Sequence, residues 1–315
     1  MSPPELLPFD NEHLDAAAAV LAEAHARHRA AEPLLADGDA GSAVELAWRH
    51  EGTSGAVAIQ GGEVTAYLFG REAENAMWGR HVFVDRAGQA ADDAELVRDL
   101  FALAAERWSG AGIQRYFANV PSLPERLDPW YRLGFAQMHQ DAIRETSGGP
   151  VAPADVVVRS GGRVDLELAI RVGRQIAEVQ TLAPSFSELP PADERDDWIE
   201  TLEAEDVTYF VAERDGDPVG HATLYPPAPD LGTPADAVYL ASTATLPEAR
   251  GSGAGLALTA HALEWAEAAG HATMVTSWRV TNLLASRFWP ARGFRPTYVR
   301  LHRSLVLRSP SRRAR

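Results

Sequence analysis

The chain has 315 residues, 46% of them hydrophobic and 23% charged, with a formal net charge of −15 and no cysteine. The length allows two domains of ordinary size, the missing cysteine excludes disulfides, thiolate metal sites and a cysteine nucleophile, and the acid excess argues against nucleic-acid binding through phosphate contacts. No apolar run reaches the ~18 residues that cross a bilayer, and Met1–Asp10 lacks the basic start and hydrophobic stretch of a signal peptide, so no membrane role and a cytoplasmic location are expected.

In chain order, an N-terminal strand leads to an alanine-rich helix from about Asn11 to Ala31 and a polar loop. Strands follow at Val57–Gln60 and Val64–Phe69 around Gly61-Gly62, then a strand at Met77–Val84, a helix at Asp93–Trp108 and a break at Gly110–Gly112. The series then recurs. A strand at Val156–Arg159 and a helix at Val164–Thr181 precede a hairpin, Tyr209–Glu213 with Val219–Leu224 around Asp215-Gly216. A strand at Val238–Thr245, a helix at Gly255–Ala269 with Gly270 as its C-cap, and a strand at Thr273–Trp278 complete it. Trp130-Tyr131-Arg132-Leu133-Gly134-Phe135 repeats as Trp289-Pro290-Ala291-Arg292-Gly293-Phe294, and Thr146–Pro153 has the composition of a linker.

The chemistry concentrates where the Val238–Thr245 strand runs through Pro247 into Arg250-Gly251-Ser252-Gly253-Ala254-Gly255 and a helix. Glycines remove Cβ atoms where backbone must approach a ligand, and the freed N–H groups sit at the positive end of the helix, an arrangement suited to a diphosphate. The dinucleotide fingerprint would need glycine at 256, which is Leu, and no Gly-Lys-Ser/Thr follows as in a nucleotide P-loop. The turn resembles instead the Arg-x-x-Gly-x-Gly signature of the GCN5-related N-acetyltransferase (GNAT) superfamily. Asn282-Leu283-Leu284-Ala285 followed by Phe288–Phe294 falls where that family places Asn-x-x-Ala-x-x-x-Tyr-x-x-x-Gly-Phe, and the resemblance is specific for residues 237–305.

With the internal repeat, the resemblance implies two tandem GNAT-like α/β (α+β) domains, each a mixed, mostly antiparallel sheet flanked by helices. The expected division is 1–147, 154–307 and a disordered basic tail at 308–315. The halves differ at the turn: Gln89-Ala90-Ala91-Asp92-Asp93-Ala94 stands where the second half has Arg250–Gly255. Its carboxylates would repel a diphosphate, and Asp92 with Glu95 has the form of a helix-capping pair. The first half is therefore expected to lack CoA binding.

The resemblance further implies that acetyl-CoA, or another short acyl-CoA, is held by Arg250 and the N–H groups of Gly251, Ser252, Gly253, Ala254 and Gly255. The thioester carbonyl would lie on the N–H groups of Ala244, Thr245 and Leu246, where the oxyanion is stabilised. Asn282 would contact the pantetheine arm or cap its own helix. Trp289 stands where the family commonly has the tyrosine that protonates the leaving thiolate, and an indole is no acid near neutral pH. Tyr298, Ser286 or water are the alternatives for that proton. For the base, the strand offers only Tyr239, Ser242 and Thr243, with His221 and Glu213 nearby in the hairpin.

The acid-rich segment Pro184–Asp206 is either a solvated helix face or the mouth of a site for a cationic amine. The expected activity is transfer of an acetyl group to a small primary amine in the second half of a monomer or homodimer, with no metal. A relative of mycothiol synthase, also a tandem family member, and a non-catalytic acyl-CoA sensor or partner-binding protein are the competing readings.

Overall fold

The computed structural model describes residues 3–187 and 195–305. The basic tail expected at 308–315, and Glu188, Asp193 and Glu194 of the acidic segment, lie outside them.

The first repeat runs β1 (Glu5–Pro8), α1 (Leu14–Ala31), α2 (Ala40–Trp48), β2 (Thr53–Gln60), β3 (Glu63–Asn75), β4 (Gly79–Val84), β5 (Gln89–Ala91), α3 (Leu96–Gly110), β6 (Arg115–Pro121), α4 (Pro124–Arg132) and β7 (Ala136–Glu145). The second runs β8 (Val156–Ser160), α5 (Leu166–Thr181), α6 (Arg195–Glu203), β9 (Thr208–Arg214), β10 (Asp217–Tyr225), β11 (Val238–Thr245), α7 (Ala254–Ala268), β12 (Thr273–Arg279), α8 (Leu283–Phe288) and β13 (Arg295–Ser304).

The compact units do not coincide with the repeats. One unit is Met1–His139 with Asp230–Gly232 and the chain from Thr297 onward; the other is Gln140–Pro229 with Thr233–Pro296. Each repeat therefore contributes its last strand to the other unit, which a division at 147 and 154 does not contain.

In the first unit the strands lie in the order β1-β2-β3-β4-β6-β13, with β5 paired to β3. Pairing is antiparallel except between β4 and β6, and β13 runs antiparallel to β6 from Tyr298↔Pro121 to Ser304↔Arg115. Side chains alternate across the sheet. Ala56, Leu68, Val82 and Val84 pack with Leu100, Phe101, Trp108 and Trp130, while Val57, Tyr67 and Phe69 pack with Val20, Leu21 and Val44 under α1 and α2.

In the second unit the order is β7-β12-β11-β10-β9-β8; β8 to β11 pair antiparallel and β11 pairs parallel with β12. One face of the sheet buries Phe210, Ala212, Ala222, Leu224, Val238 and Leu240 against Ala257, Leu258 and Leu263 of α7. The other buries Tyr209 and Val211 with Leu168, Ala169 and Val172 of α5, and Trp198 of α6 packs there. Among the described residues no helix is long and apolar enough to cross a membrane.

Candidate functional site

Two features of the second unit open backbone groups toward a ligand. The parallel pairing of β11 with β12 covers only Val238↔Met274, Tyr239↔Val275 and Leu240↔Thr276, although β11 continues to Thr245 and β12 to Arg279. On its other edge β11 stays paired with β10 as far as Thr245↔Gly220, across a bulge at Thr223/Leu224. The strands thus part after Leu240 and leave one edge of Ala241–Thr245 open.

Backbone groups of successive strand residues point to alternate edges. The N–H of Leu246 donates to Val219 O at 2.8 Å, so Leu246, and by alternation Ala244, face β10. Of the three expected donors, Leu246 and Ala244 therefore face away from the open edge, and only Thr245 has its N–H there, with Thr243. The Thr243 hydroxyl is also buried without a partner among the described residues.

The turn that follows is the second feature. Gly251 and Gly253 have φ of +80° and +86°, and Gly253 forms the left-handed N-cap of α7. The first bond inside the helix is Ala257 N–H to Gly253 O, and the Ser252 hydroxyl accepts from Ala254 N–H at 3.3 Å. Among the described residues the N–H groups of Gly251, Gly253, Gly255 and Leu256 meet no internal acceptor. These orphan donors and the helix dipole form an anion cradle. Arg250 beside it is exposed and meets no carboxylate among the described residues. A Cβ on Gly253 would lie 2.4 Å from Pro153 Cγ, so a side chain at 253 disturbs packing as well as ligand.

The same positions in the first unit are filled. Gln89–Ala91 are strand β5, paired through Ala66↔Ala91 and Leu68↔Gln89. The Gln89 amide donates to Asn119 O, and its oxygen accepts from the Trp130 indole at 3.1 Å. The expected Asp92/Glu95 cap is not formed: Asp93 accepts from Glu95 N–H at 3.0 Å, and the Glu95 carboxylate pairs with Arg98 and Arg132.

Residues 175–294 match the model of the acetyltransferase (GNAT) family. Two solved structures align over nearly the whole of both chains. The tandem GNAT protein from the clavulanic acid biosynthesis pathway has 18% identity over 97% of this chain and 100% of that one, with a TM-score of 0.53. A GCN5-related N-acetyltransferase from Sphaerobacter thermophilus has 15% identity over 96% and 97%, with a TM-score of 0.58. Residues 175–294 carry a domain of the acetyltransferase (GNAT) family, and the whole chain shares the fold of these tandem proteins. The GCN5-related glucosamine N-acetyltransferase region of a fungal multi-domain GH3 β-N-acetylglucosaminidase shares the fold at 14% identity, over 96% of this chain and 38% of that one, with a TM-score of 0.56. No curated protein matches the chain.

Around this GNAT domain the remaining expected residues divide sharply. Asn282 caps α8, its side chain accepting from Leu284 and Ala285 N–H at 3.1 and 3.3 Å, which is the second of its two expected roles. The Ser286 hydroxyl donates to Val280 O at 2.6 Å, so its proton is committed to the backbone. Trp289 is buried between the rings of Phe288 and Phe294. Tyr298 belongs to the first unit, where it is 2% exposed, edge-on to His28 and under the Arg86 guanidinium. It is a core tyrosine there, and the acid role is not carried forward to it.

Glu213 is neutralised by Arg159, whose Nε donates to it at 2.6 Å while its two terminal nitrogens hold Asp165 at 2.7 and 3.0 Å. His221 and Ser242 are brought together: His221 Nε2 lies 3.1 Å from Ser242 Oγ, and Nδ1 lies 3.0 Å from the Tyr209 hydroxyl. Tyr209 was not legible as a partner, because only the β9–β10 and β10–β11 registers bring the three side chains to one face.

His221 is fully buried, with Trp198 over its ring. Burial pushes its pKa from the ordinary 6.5 down to about 3. Between those values the unfolded chain binds more protons than the folded one, so the contribution is fully present above pH 6.5 and is lost as pH falls toward 3. The expected loss is about 1.4 kcal/mol per pH unit in that window. His28, at about 4, adds a loss of the same sign. Urea denaturation from pH 7 to 4 should therefore show a shallower acid dependence in His221→Gln than in the parent; equal slopes would contradict a neutral buried ring.

The described acids of the segment after α5 take the solvated alternative. Asp196, Asp197, Glu200 and Glu203 are exposed on α6, Glu203 pairs with Arg163, and Arg195 pairs with Glu167.

Proposed function

We propose that this protein transfers an acyl group, acetyl in the first instance, from acyl-CoA to the nitrogen of a small primary amine, with its site in the second unit. The observation that carries the reading is the open edge of β11 running directly into the unoccupied N–H groups of the α7 turn, inside the segment that matches the family. The Gly251–Leu256 donors and Arg250 hold the diphosphate, and the Thr243 and Thr245 N–H groups bind the thioester oxygen. Binding there polarises the carbonyl, and the same donors stabilise the oxyanion when the amine attacks. No metal takes part in this scheme, and the acid excess suits a partner other than nucleic acid.

A preference for a cationic acceptor is not carried forward, because the described acids of α6 face solvent. The activity belongs to the cytoplasm, where acyl-CoA is made. Release of CoA thiol from acetyl-CoA against a panel of amines tests the reading; no release over background with any amine, despite CoA binding, would favour a sensor instead. Since β5 and Trp130 fill the corresponding place in the first unit, titration to saturation should find one CoA per chain. Two equal sites would overturn the assignment of Gln89–Ala94 as closed.

A further inference from the structure

Ser242 lies on the open stretch of β11, and its backbone is pinned by Thr223, whose hydroxyl accepts from Ser242 N–H at 3.1 Å. Behind it the Tyr209 phenol is buried and, among the described residues, finds a single polar partner, His221 Nδ1 at 3.0 Å. A buried hydroxyl proton left without an acceptor is costly, so the phenol donates to Nδ1. That choice fixes the tautomer: the ring proton sits on Nε2 and is donated to Ser242 Oγ at 3.1 Å. Ser242 Oγ therefore accepts from behind, and its own proton points away from the relay.

In this arrangement His221 has no lone pair facing the serine and cannot serve as its base. Burial, which holds the ring neutral, agrees with that geometry. The serine is instead a donor half-buried on the edge where the thioester is proposed to lie. Trp289, at the usual proton donor's place, has no acidic group to offer.

We propose that Ser242 is the catalytic proton donor to the departing sulfur, with His221 and Tyr209 as positioning residues that keep its hydroxyl turned outward. The proposal rests on the acyl-transfer reading above. A neutral amine attacks the carbonyl carbon and forms the C–N bond, giving a tetrahedral intermediate with positive nitrogen and negative oxygen. As the oxyanion re-forms the carbonyl, the C–S bond breaks and its electron pair goes to sulfur. The sulfur takes the Ser242 proton, and Ser242 Oγ takes one proton from the positive nitrogen. The products are a neutral amide and a neutral thiol, and the serine ends as it began. The Nε2–H bond to Oγ steadies the oxygen while it carries partial negative charge.

The test uses the full chain, hydroxylamine as acceptor and two donors, acetyl-CoA and its selenium analogue, acetyl-seleno-CoA. A selenolate is a far weaker base than a thiolate and leaves without a proton. Ser242→Ala should lose about a hundredfold in turnover with acetyl-CoA but under about threefold with the selenium donor, with CoA affinity by calorimetry unchanged. Tyr209→Phe should lose about tenfold with acetyl-CoA alone. Nitrogen-15 spectra of the histidine rings should show His221 protonated on Nε2 in the parent, with the proton moving toward Nδ1 in Tyr209→Phe. Equal losses on both donors, or a parent ring protonated on Nδ1, would overturn the proposal while leaving acyl transfer in place. A parent chain that binds no CoA would overturn both.

Discussion

Ser252→Asp should abolish CoA binding and leave the fold intact. The Ser252 hydroxyl accepts the Ala254 N–H at the start of α7, and an aspartate carboxylate can take over that bond and favours the positive end of the helix. Stability should hold or rise slightly. The same carboxylate stands between Gly251 and Gly253, where it competes for the free N–H groups and repels a diphosphate. Charge-assisted hydrogen bonds of this kind are the strong ones, so the expected loss is at least a hundredfold in Kd, about 2.7 kcal/mol. Calorimetric titration with CoA reads it, with Ser252→Ala as the control expected to stay within about threefold. Retained micromolar affinity in Ser252→Asp would remove the diphosphate from this turn. Position 252 serves better than 253, where φ of +86° and the approach of Pro153 mean that any side chain strains the backbone.

The second large effect is on stability. Trp130 is fully buried in the first unit, edge-on to Phe135 at 4.7 Å and Phe101 at 5.9 Å, and its indole N–H satisfies Gln89. Trp130→Ala removes one of the two indoles of that cluster and leaves the Gln89 oxygen without its donor. Cavity formation on this scale costs about 3–5 kcal/mol, and the orphaned oxygen adds to it. Urea denaturation of the full chain measures the loss, and a cost below about 1 kcal/mol would show that the indole is not the plug of the closed turn. Trp130→Phe should cost less than the alanine variant, because a smaller aromatic ring still fills part of the space, although the donor to Gln89 is lost.

The local signals in the sequence located most elements well. Strand β11 has the bounds expected from its β-branched and aromatic run, and α7 differs by one residue at each end, because Gly253 takes the left-handed cap that starts a helix there. The Asn282 cap follows from an Asn placed before an apolar helix. The polar loop assigned after α1 hides α2, whose Asp39 cap over Ser42 was a readable signal. What escaped was set by pairing between distant strands. Leu246 loses its expected donor role because Val219 lies opposite, Tyr209 joins His221 through two registers and a bulge, and Tyr298 sits in the first unit because β13 pairs with β6. None of those partners is written within ten residues of the group it affects.

The exchange of terminal strands also bears on how the chain is made. During synthesis the first repeat emerges with five strands of its sheet's main row in hand, but the place beside β6 stays vacant until Thr297–Ser304 has left the ribosome. A vacant edge of that kind invites wrong partners. Thr297–Ser304, made after every other strand of that sheet, thus completes it, and a nonsense mutation or proteolytic cut shortly after residue 294 would strip that unit of its sixth strand while sparing the turn at Arg250–Gly255.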